Sequence, residues 1–334
     1  QQGSLSSDPL IQLLTLYGTN ISGRTDLWTI YERGIKSPYP QIQLNTVFAL
    51  GRIPERYATI LLEKALMSNF YGVRLEAALC LSRSQEYGMY DKIESLMYKI
   101  PKNWLPFFPQ IYANLEDPKS LQALKRLISS MDSEVLTEII LSVGEQKLYD
   151  LLPDLHFLAT HHQPATKEAC LWAFDQFQDE TALPLIKKAS SSSYTNVRLS
   201  AHRALYHFGD TSSKSLIEQE ALKENLFAIA GLADIEESSD TLIKLLSSDS
   251  FEVRVNAAIS LLNLRNAKAL PVLEELLLDN KKDFALEPLF SFGKTFTAYN
   301  VVPSAQIQFS NSMQNLEVAK RINERLVTQL FYLP

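Results

Sequence analysis

The sequence has little of what most catalytic, membrane-spanning or nucleic-acid-binding folds need. Its two cysteines are too few for a disulfide framework or a zinc site, and its 11 glycines are too few for architectures rich in tight turns. It has no apolar run of about 18 residues that could span a membrane. It also has no run of five or more Lys or Arg residues, and its net charge is −6. These absences argue against a disulfide-rich, zinc-binding, membrane-spanning or nucleic-acid-binding protein. They favour a globular helical one.

A repeated helical motif is what the sequence does contain. Three segments read V-R-x-x-A-x-x-x-L, and they begin at Val73, Val197 and Val253. Counted from the Val, apolar residues fall at offsets +4, +5 and +8, except that His202 takes the +5 place in the second segment. These offsets place the residues on one face of an α-helix. Weaker copies with the same offsets begin at Ile42, Phe107, Val135, Thr166, Glu224 and Phe284.

The copies follow one another about every 30 residues, which is a period typical of solenoid proteins. Each gap between two copies has room for one more amphipathic helix, since helices average about 11 residues. We call the helix in the gap the first helix of a repeat, and the helix that carries the motif the second helix. The sequence therefore predicts a stack of helix pairs.

The motif on the second helix, preceded by a loop residue such as Asp249, resembles the HEAT repeat. The short period is most similar to the subtype known as phycobilisome-lyase HEAT-like repeats, and Pro153, Pro184 and Pro271 fall in the first helices, as in HEAT repeats. The resemblance covers residues 8–292. It implies an all-α fold, a right-handed α-solenoid of about nine to ten helix pairs, closed by an atypical C-terminal cap.

The two ends of the predicted stack differ in character. We assign residues 1–292 to the repeat solenoid and residues 293–334 to a C-terminal extension with a capping helix. Within the extension, Ser304–Phe309 alternates in polarity, which is weak evidence for a strand. Leu316–Phe331 returns to a helical pattern and would cover the last apolar face of the stack.

No pattern of catalytic residues emerges from the sequence. The tripeptide that begins at Gly293 resembles the end of a phosphate-binding loop, but Pro288 stands where that loop needs a glycine. No His-Glu dipeptide occurs, although the HEAT-like deoxyhypusine hydroxylases look iron-dependent through such pairs. Cys80 and Cys170 lie three repeats apart on second helices and are expected to be free core residues. We therefore predict no catalytic residue, no metal site and no cofactor.

Arg74, Arg198 and Arg254 recur directly after the first residue of the motif. An anion-binding role is one interpretation of three such arginines. Residues that recur in every unit of a solenoid usually maintain the stack. We therefore expect these arginines to hold the structure together rather than to bind a ligand.

The variable face of the second helices is the candidate binding surface. If offsets 0, +4, +5 and +8 face the core, then +3, +6, +7 and +10 face away from it, and the HEAT resemblance implies that the second helices line the concave side. The predicted partner-binding residues are Arg52, Glu76, Arg83, Gln110, Asn114, Glu138, Trp172, Gln176, Arg203 and His207. The same offsets add Asn45, Phe48, Glu145, Asn256 and Asn263 to this face.

Both signs of charge occur on this face, which suits a polypeptide better than a phosphate backbone. We predict a non-enzymatic scaffold or adaptor that binds a protein or peptide partner along the concave face. The alternative is an accessory protein or a lyase-like enzyme of the phycobilisome-lyase HEAT type. We expect no nucleic-acid partner and no membrane span, and the oligomeric state stays open. The two reduced cysteines favour the cytoplasm, and an exported form stays open because the chain begins with Gln1 rather than Met.

Overall fold

The computed structural model of the protein is almost entirely helical. Its described residues form eighteen α-helices and one two-stranded antiparallel sheet. They fall into two compact units, residues 1–142 and residues 143–334, which we describe separately. The described residues are 2–22, 27–84, 88–129, 132–160, 163–278, 284–293 and 296–303.

Unit 1, residues 1–142, consists of helices that follow one another with short connections. Several begin with Pro at the first helical position, where the missing N–H costs no hydrogen bond. The helices of unit 1, the last of which continues into unit 2, are α1 Pro9–Ile21, α2 Trp28–Ile35, α3 Pro40–Leu50, α4 Arg56–Ala65, α5 Tyr71–Ser82, α6 Met89–Met97, α7 Phe108–Asn114, α8 Pro118–Ile128 and α9 Ser133–Gln146.

Unit 2, residues 143–334, continues with the same kind of helix pair and then ends in a hairpin of two strands. Each second helix in it packs against the next second helix and against its own first helix. Its elements are α10 Leu152–Ala159, α11 Pro164–Phe177, α12 Leu183–Ala189, α13 Thr195–His207, α14 Ser212–Ala221, α15 Leu226–Gly231, α16 Ser239–Leu245, α17 Phe251–Asn263, α18 Leu270–Leu278, β1 Phe284–Phe292 and β2 Phe296–Pro303.

The core is built from the offsets that the sequence predicts. In α5, the residues at offsets 0, +4, +5 and +8 are Val73, Ala77, Ala78 and Leu81, and all four are fully buried. Alanine at +4 and +5 lets the neighbouring helix approach closely. The all-α solenoid fold is thereby confirmed. The equivalent residues of α17, which are also buried, are Val253, Ala257, Ala258 and Leu261.

A side chain near the start of five helices, α1, α3, α5, α13 and α17, fixes the loop in front of each. In these helices an Arg or Gln donates a hydrogen bond to the backbone carbonyl of a Ser six residues earlier, and the hydroxyl of that Ser accepts from the backbone N–H two residues after it. The structural role expected for the recurring arginines is therefore confirmed. The bonded pairs are Gln12 with Ser6, Gln43 with Ser37, Arg74 with Ser68, Arg198 with Ser192 and Arg254 with Ser248.

The prediction of a helical repeat at Phe284 is wrong, because residues 284–292 form strand β1. This strand pairs antiparallel with β2, in a register that places Phe284 opposite Pro303 and Phe292 opposite Phe296. The physical reason lies in the segment itself: Pro288 would remove a hydrogen bond inside a helix, whereas the flanking aromatic residues favour a strand. The irregularity in the pairing falls next to Pro288, as expected for a residue that cannot donate to a ladder.

Two predictions for the C-terminal extension lie outside the described residues. These are the strand signal at Ser304–Phe309 and the capping helix at Leu316–Phe331. The division of the chain after residue 292 stays a prediction.

Candidate functional site

The strands of unit 2 lie on the variable face of its second helices. We call this surface the second-helix face of unit 2 and define it by Trp172 on α11, Arg203 on α13, Phe227 on α15 and Asn256 on α17. These residues stand at offsets +6, +6, +3 and +3 from the starts of their copies. Strand β2 contacts both α15 and α17. Residues at the variable offsets therefore share one face of unit 2, and the hairpin of the same chain covers part of that face.

Trp172 and Arg203 do not present an open surface in this structure, and their predicted role in partner binding stays a prediction. Only 5% of Trp172 and 3% of Arg203 is exposed. The Trp172 ring packs against the turn between the strands, where a Cβ atom at Gly293 would lie 2.5 Å from the ring atom Cζ2. Gly293 also has a φ of 63°, which favours glycine. The reason for the burial is that the hairpin returns to the face from a distant part of the sequence.

An aromatic cluster joins the hairpin to α15. The Phe227 ring lies 4.5 Å from Phe290 and 4.9 Å from Phe296, centroid to centroid, with the Phe296 contact edge-on. Phe292 packs edge-on against Phe296 at 5.4 Å. Such edge-to-face pairs contribute beyond their buried area, by about 0.5–1.5 kcal/mol each. The cluster is therefore a main source of hairpin attachment.

A buried group of charged side chains lies beside this aromatic cluster. The Arg203 guanidinium stands 5.2 Å from the Phe296 ring centroid, donates from Nη1 to Asp175 at 2.8 Å and pairs through Nη2 with Asp234. The Nδ1 atom of His207 lies 2.8 Å from Asp175. Burial opposes the charge on Arg203, but Asp234 and Asp175 outweigh it and raise the pKa of Arg203. The guanidinium therefore stays charged below the hairpin.

Two side chains of α17 hold the backbone of strand β2. The amide nitrogen of Asn256 donates to the Tyr299 carbonyl at 2.8 Å, and its Oδ1 accepts from the Tyr299 N–H at 2.8 Å. The Glu252 carboxylate accepts from the Val301 N–H at 3.0 Å. The outer edge of β2, which would otherwise present unpaired backbone groups, is thereby satisfied by helix side chains.

The remaining predicted residues are reached by solvent to different degrees. In unit 2, Gln176 and His207 are half-buried. In unit 1, Arg52 and Arg83 are exposed on the ends of α3 and α5. The half-buried members of the unit 1 face are Glu76, Gln110, Asn114 and Glu138.

Sequence reasoning missed several residues that build the site. Phe227 and Asp234 stand at offsets +3 and +10 from Glu224, so the rule that selected the other candidates would also have selected them. Asp175 and Glu252 lie outside the four offsets. The predicted copy at Phe284 places Phe290 and Phe292 on a helix, whereas Phe296 falls in the predicted C-terminal extension. No local signal in the sequence connects these residues to this face.

Neither a metal cluster nor an exposed cysteine occurs among the described residues. They contain no group of three or more His, Cys, Asp or Glu residues that could hold a metal ion. Both cysteines are buried and neither forms a disulfide, and burial raises the pKa of the Cys170 thiol, so it is not a thiolate at neutral pH. Among these residues, no helix combines the length and apolar character that a membrane span requires.

The fold and the repeated loop contacts define an α-solenoid of stacked helix pairs. Residues 120–206 and 216–287 match the family model of HEAT repeats, so these two stretches consist of HEAT repeats, as the motif predicts. No curated protein matches the sequence. Among solved structures, the chain is similar to the complex of CpcE and CpcF of phycocyanin lyase from Nostoc sp. PCC7120, with 17% identity, 74% of this chain and 92% of that chain covered, and a TM-score of 0.35. A similarity of that size says nothing about activity.

Proposed function

We propose that the protein is a non-enzymatic scaffold or adaptor that binds a protein or peptide partner through the second-helix faces of its HEAT repeats. The observation that carries the proposal is the contact of Asn256 with both backbone groups of Tyr299. A second helix of this protein thereby holds an extended polypeptide segment through a side chain that stands at a variable offset.

The composition of the unit 1 face supports the same function. Arg52 and Arg83 are exposed there, and Glu76 and Glu138 add the opposite charge. Interfaces with proteins tolerate such mixtures, whereas a nucleic-acid partner would require mainly positive charge. The net charge of −6 points the same way. We therefore propose a protein or peptide partner and no cofactor. The two cysteines form no disulfide, which favours a cytoplasmic location.

The test is a pair of charge reversals on the second helices of unit 1, Arg52→Glu with Arg83→Glu. We expect this double variant to lose the partners that the wild-type chain captures from a lysate of the source cells, by at least about tenfold, because charge reversal at an interface turns attraction into repulsion. The melting temperature is measured on the same samples, since both side chains are exposed and should not support the core.

The matched control is Arg56→Glu with Lys99→Glu. Both residues are exposed, and they lie on α4 and just after α6, two first helices of unit 1. The control makes the same change in net charge and should keep every partner. Equal loss of capture in both double variants, or no loss in either, would show that the second-helix face is not the binding surface.

A further inference from the structure

We propose that the second-helix face of unit 2 recognises an extended polypeptide segment with an aromatic residue that packs between Phe227 and Arg203, and that strand β2 is a built-in occupant that a partner segment replaces. The inference rests on the proposed function and names the class of partner segment for one part of the surface. In β2 this aromatic residue is Phe296.

The first argument is the match between helix and strand spacing. Glu252 and Asn256 are four residues apart on α17, a rise of about 6 Å, and they bind the N–H groups of Val301 and Tyr299, which are two residues apart in β2. Two residues of a strand span about 6.8 Å. The helix thus presents its polar groups at nearly the repeat distance of an extended backbone. These hydrogen bonds recognise an extended backbone and not its side chains, so any extended segment can form them.

The second argument concerns the side chains of β2. Phe296 is 2% exposed and packs between the Phe227 ring and the Arg203 guanidinium. Ala298, two positions later on the same face of the strand, is fully buried. Tyr299 lies on the opposite face of the strand, because side chains alternate. The surface therefore selects an aromatic residue followed two positions later by a small residue.

The third argument is the polarity of the covered surface. A permanent cap of a solenoid covers an apolar face. Here the hairpin covers Arg203, Glu252 and Asn256, which are charged or polar and suit water when the hairpin is away. The Arg203 Nε atom is buried, and no described residue accepts a hydrogen bond from it, which weakens the closed arrangement.

Successive second helices pack through residues at the motif offsets. Examples are Ala201, Ala228 and Ala257, which are fully buried. The hairpin lies on residues at other offsets, such as Arg203 at +6 and Asn256 at +3. We infer that its release exposes a formed binding surface and leaves the stack intact.

The first measurement uses the wild-type chain and follows amide hydrogen exchange. We expect the N–H groups of Tyr299 and Val301 to exchange at least about 100-fold faster than the core amides of α13 and α17, because a detachable hairpin opens locally. Exchange of the hairpin at the same rate as α17 would overturn the proposal, because the hairpin would then open only with the whole unit.

The second measurement asks whether the surface accepts a segment in trans. In the full chain, Phe296→Ala with Tyr299→Ala weakens the built-in occupant while leaving the helices unchanged. We expect a labelled peptide with the sequence of residues 295–303 to bind this variant saturably, and to bind the wild-type chain at least about tenfold more weakly because the site is occupied. A peptide with Ala in place of Phe296 should not bind, and adding Asn256→Ala to the variant chain should abolish binding.

Absence of peptide binding to a variant chain with unchanged circular dichroism would overturn the proposal. If the variant does not fold, the exchange measurement on the wild-type chain decides alone. The proposed function is tested in unit 1, at Arg52 and Arg83, so the two can fail separately. If the Arg52 and Arg83 double variant loses partner capture but the unit 2 variant does not bind the peptide, the scaffold function stands. Only the proposal that β2 is replaced by a partner segment is then refuted.

Discussion

At the scale of single residues, the contact between an Arg or Gln side chain and the Ser carbonyl six positions earlier is what the motif encodes. Two of the arginines also lie over an aromatic ring three positions earlier, Arg74 over Tyr71 at 5.4 Å and Arg254 over Phe251 at 5.1 Å. One side chain thus satisfies a loop carbonyl and covers the start of the helix. This structural role explains why an Arg or Gln recurs at the same position in several copies of the motif.

Arg254→Ala should lower the free energy of unfolding by about 1–2 kcal/mol, because a partly buried carbonyl loses a charged donor. The measurement is urea denaturation, with Arg52→Ala as a control for loss of an exposed arginine. Partner capture by the folded variant should equal that of wild type. Loss of capture at unchanged stability would show that Arg254 belongs to a binding site instead.

Glu168 makes the stability of the protein depend on pH. Burial raises the pKa of its carboxyl to about 7, above the ordinary value of 4.5. The folded state therefore prefers the protonated form, and the associated stability is present below pH 4.5 and lost as the pH rises through about 7.

Glu168→Gln should raise the melting temperature at pH 8 and have little effect at pH 4.5, since the neutral amide avoids the cost of a buried charge. With allowance for the solvent that still reaches this side chain, the gain at pH 8 should be about 1–2 kcal/mol. Glu180→Gln, at an exposed position of the next turn, is the control and should show no such pH-dependent gain. An equal effect of Glu168→Gln at both pH values would contradict the assignment.

At the scale of elements, helix pairs depend on small residues where two helices meet. In unit 1, α2 approaches α3 so closely that a Cβ atom at Gly34 would lie 2.1 Å from the Oγ1 atom of Thr46, which is itself fully buried. Neither side can give way without moving a helix. By contrast, Gly18 in α1 has no neighbouring atom within 4 Å of its Cβ position.

Gly34→Ala should therefore destabilise the protein by about 1–3 kcal/mol, as for other overpacked cores. Gly18→Ala, the matched control, should stabilise it by about 0.5–1 kcal/mol, because Ala is the better helix former. Thermal unfolding of both variants tests whether Gly34→Ala lowers the melting temperature and Gly18→Ala raises it. Adding Thr46→Ala to Gly34→Ala should restore part of the loss, and no restoration would show that the contact lies elsewhere.

At the scale of the whole molecule, a solenoid couples each repeat mainly to its neighbours. The group of Asp175, Arg203, Asp234 and His207, of which Asp175 and Arg203 are buried, connects α11, α13 and the segment that follows α15. Its loss should therefore spread through unit 2 and fade with distance along the stack.

Arg203→Ala leaves two carboxylates without their cation, one of them deeply buried, and should cost about 3–5 kcal/mol. We expect hydrogen exchange to accelerate in α11, α13 and α15, while α3 and α5 of unit 1 keep their wild-type rates. Uniform acceleration in both units would mean that the chain unfolds as a single cooperative block.

The sequence by itself determined the helix pairs and their core. Both depend on contacts between residues four to eight positions apart in one helix and on a repeat of about 30 residues, so a single chain carries the whole signal. For the same reason the offsets identified Trp172, Arg203 and Asn256 as members of one face. The sequence also indicated that the recurring arginines are structural, although not which carbonyl they bind.

Only the tertiary structure decided what covers that face. Asn256 and Tyr299 are 43 residues apart, and their contact requires the chain to turn back after α18 as a hairpin. The helical offsets misled at Phe284, because apolar residues at the spacing of a helix can also serve a strand when aromatic residues and Pro288 favour it. Whether a surface is open or covered depends on contacts between residues that are far apart in the sequence, and local sequence patterns do not predict such contacts.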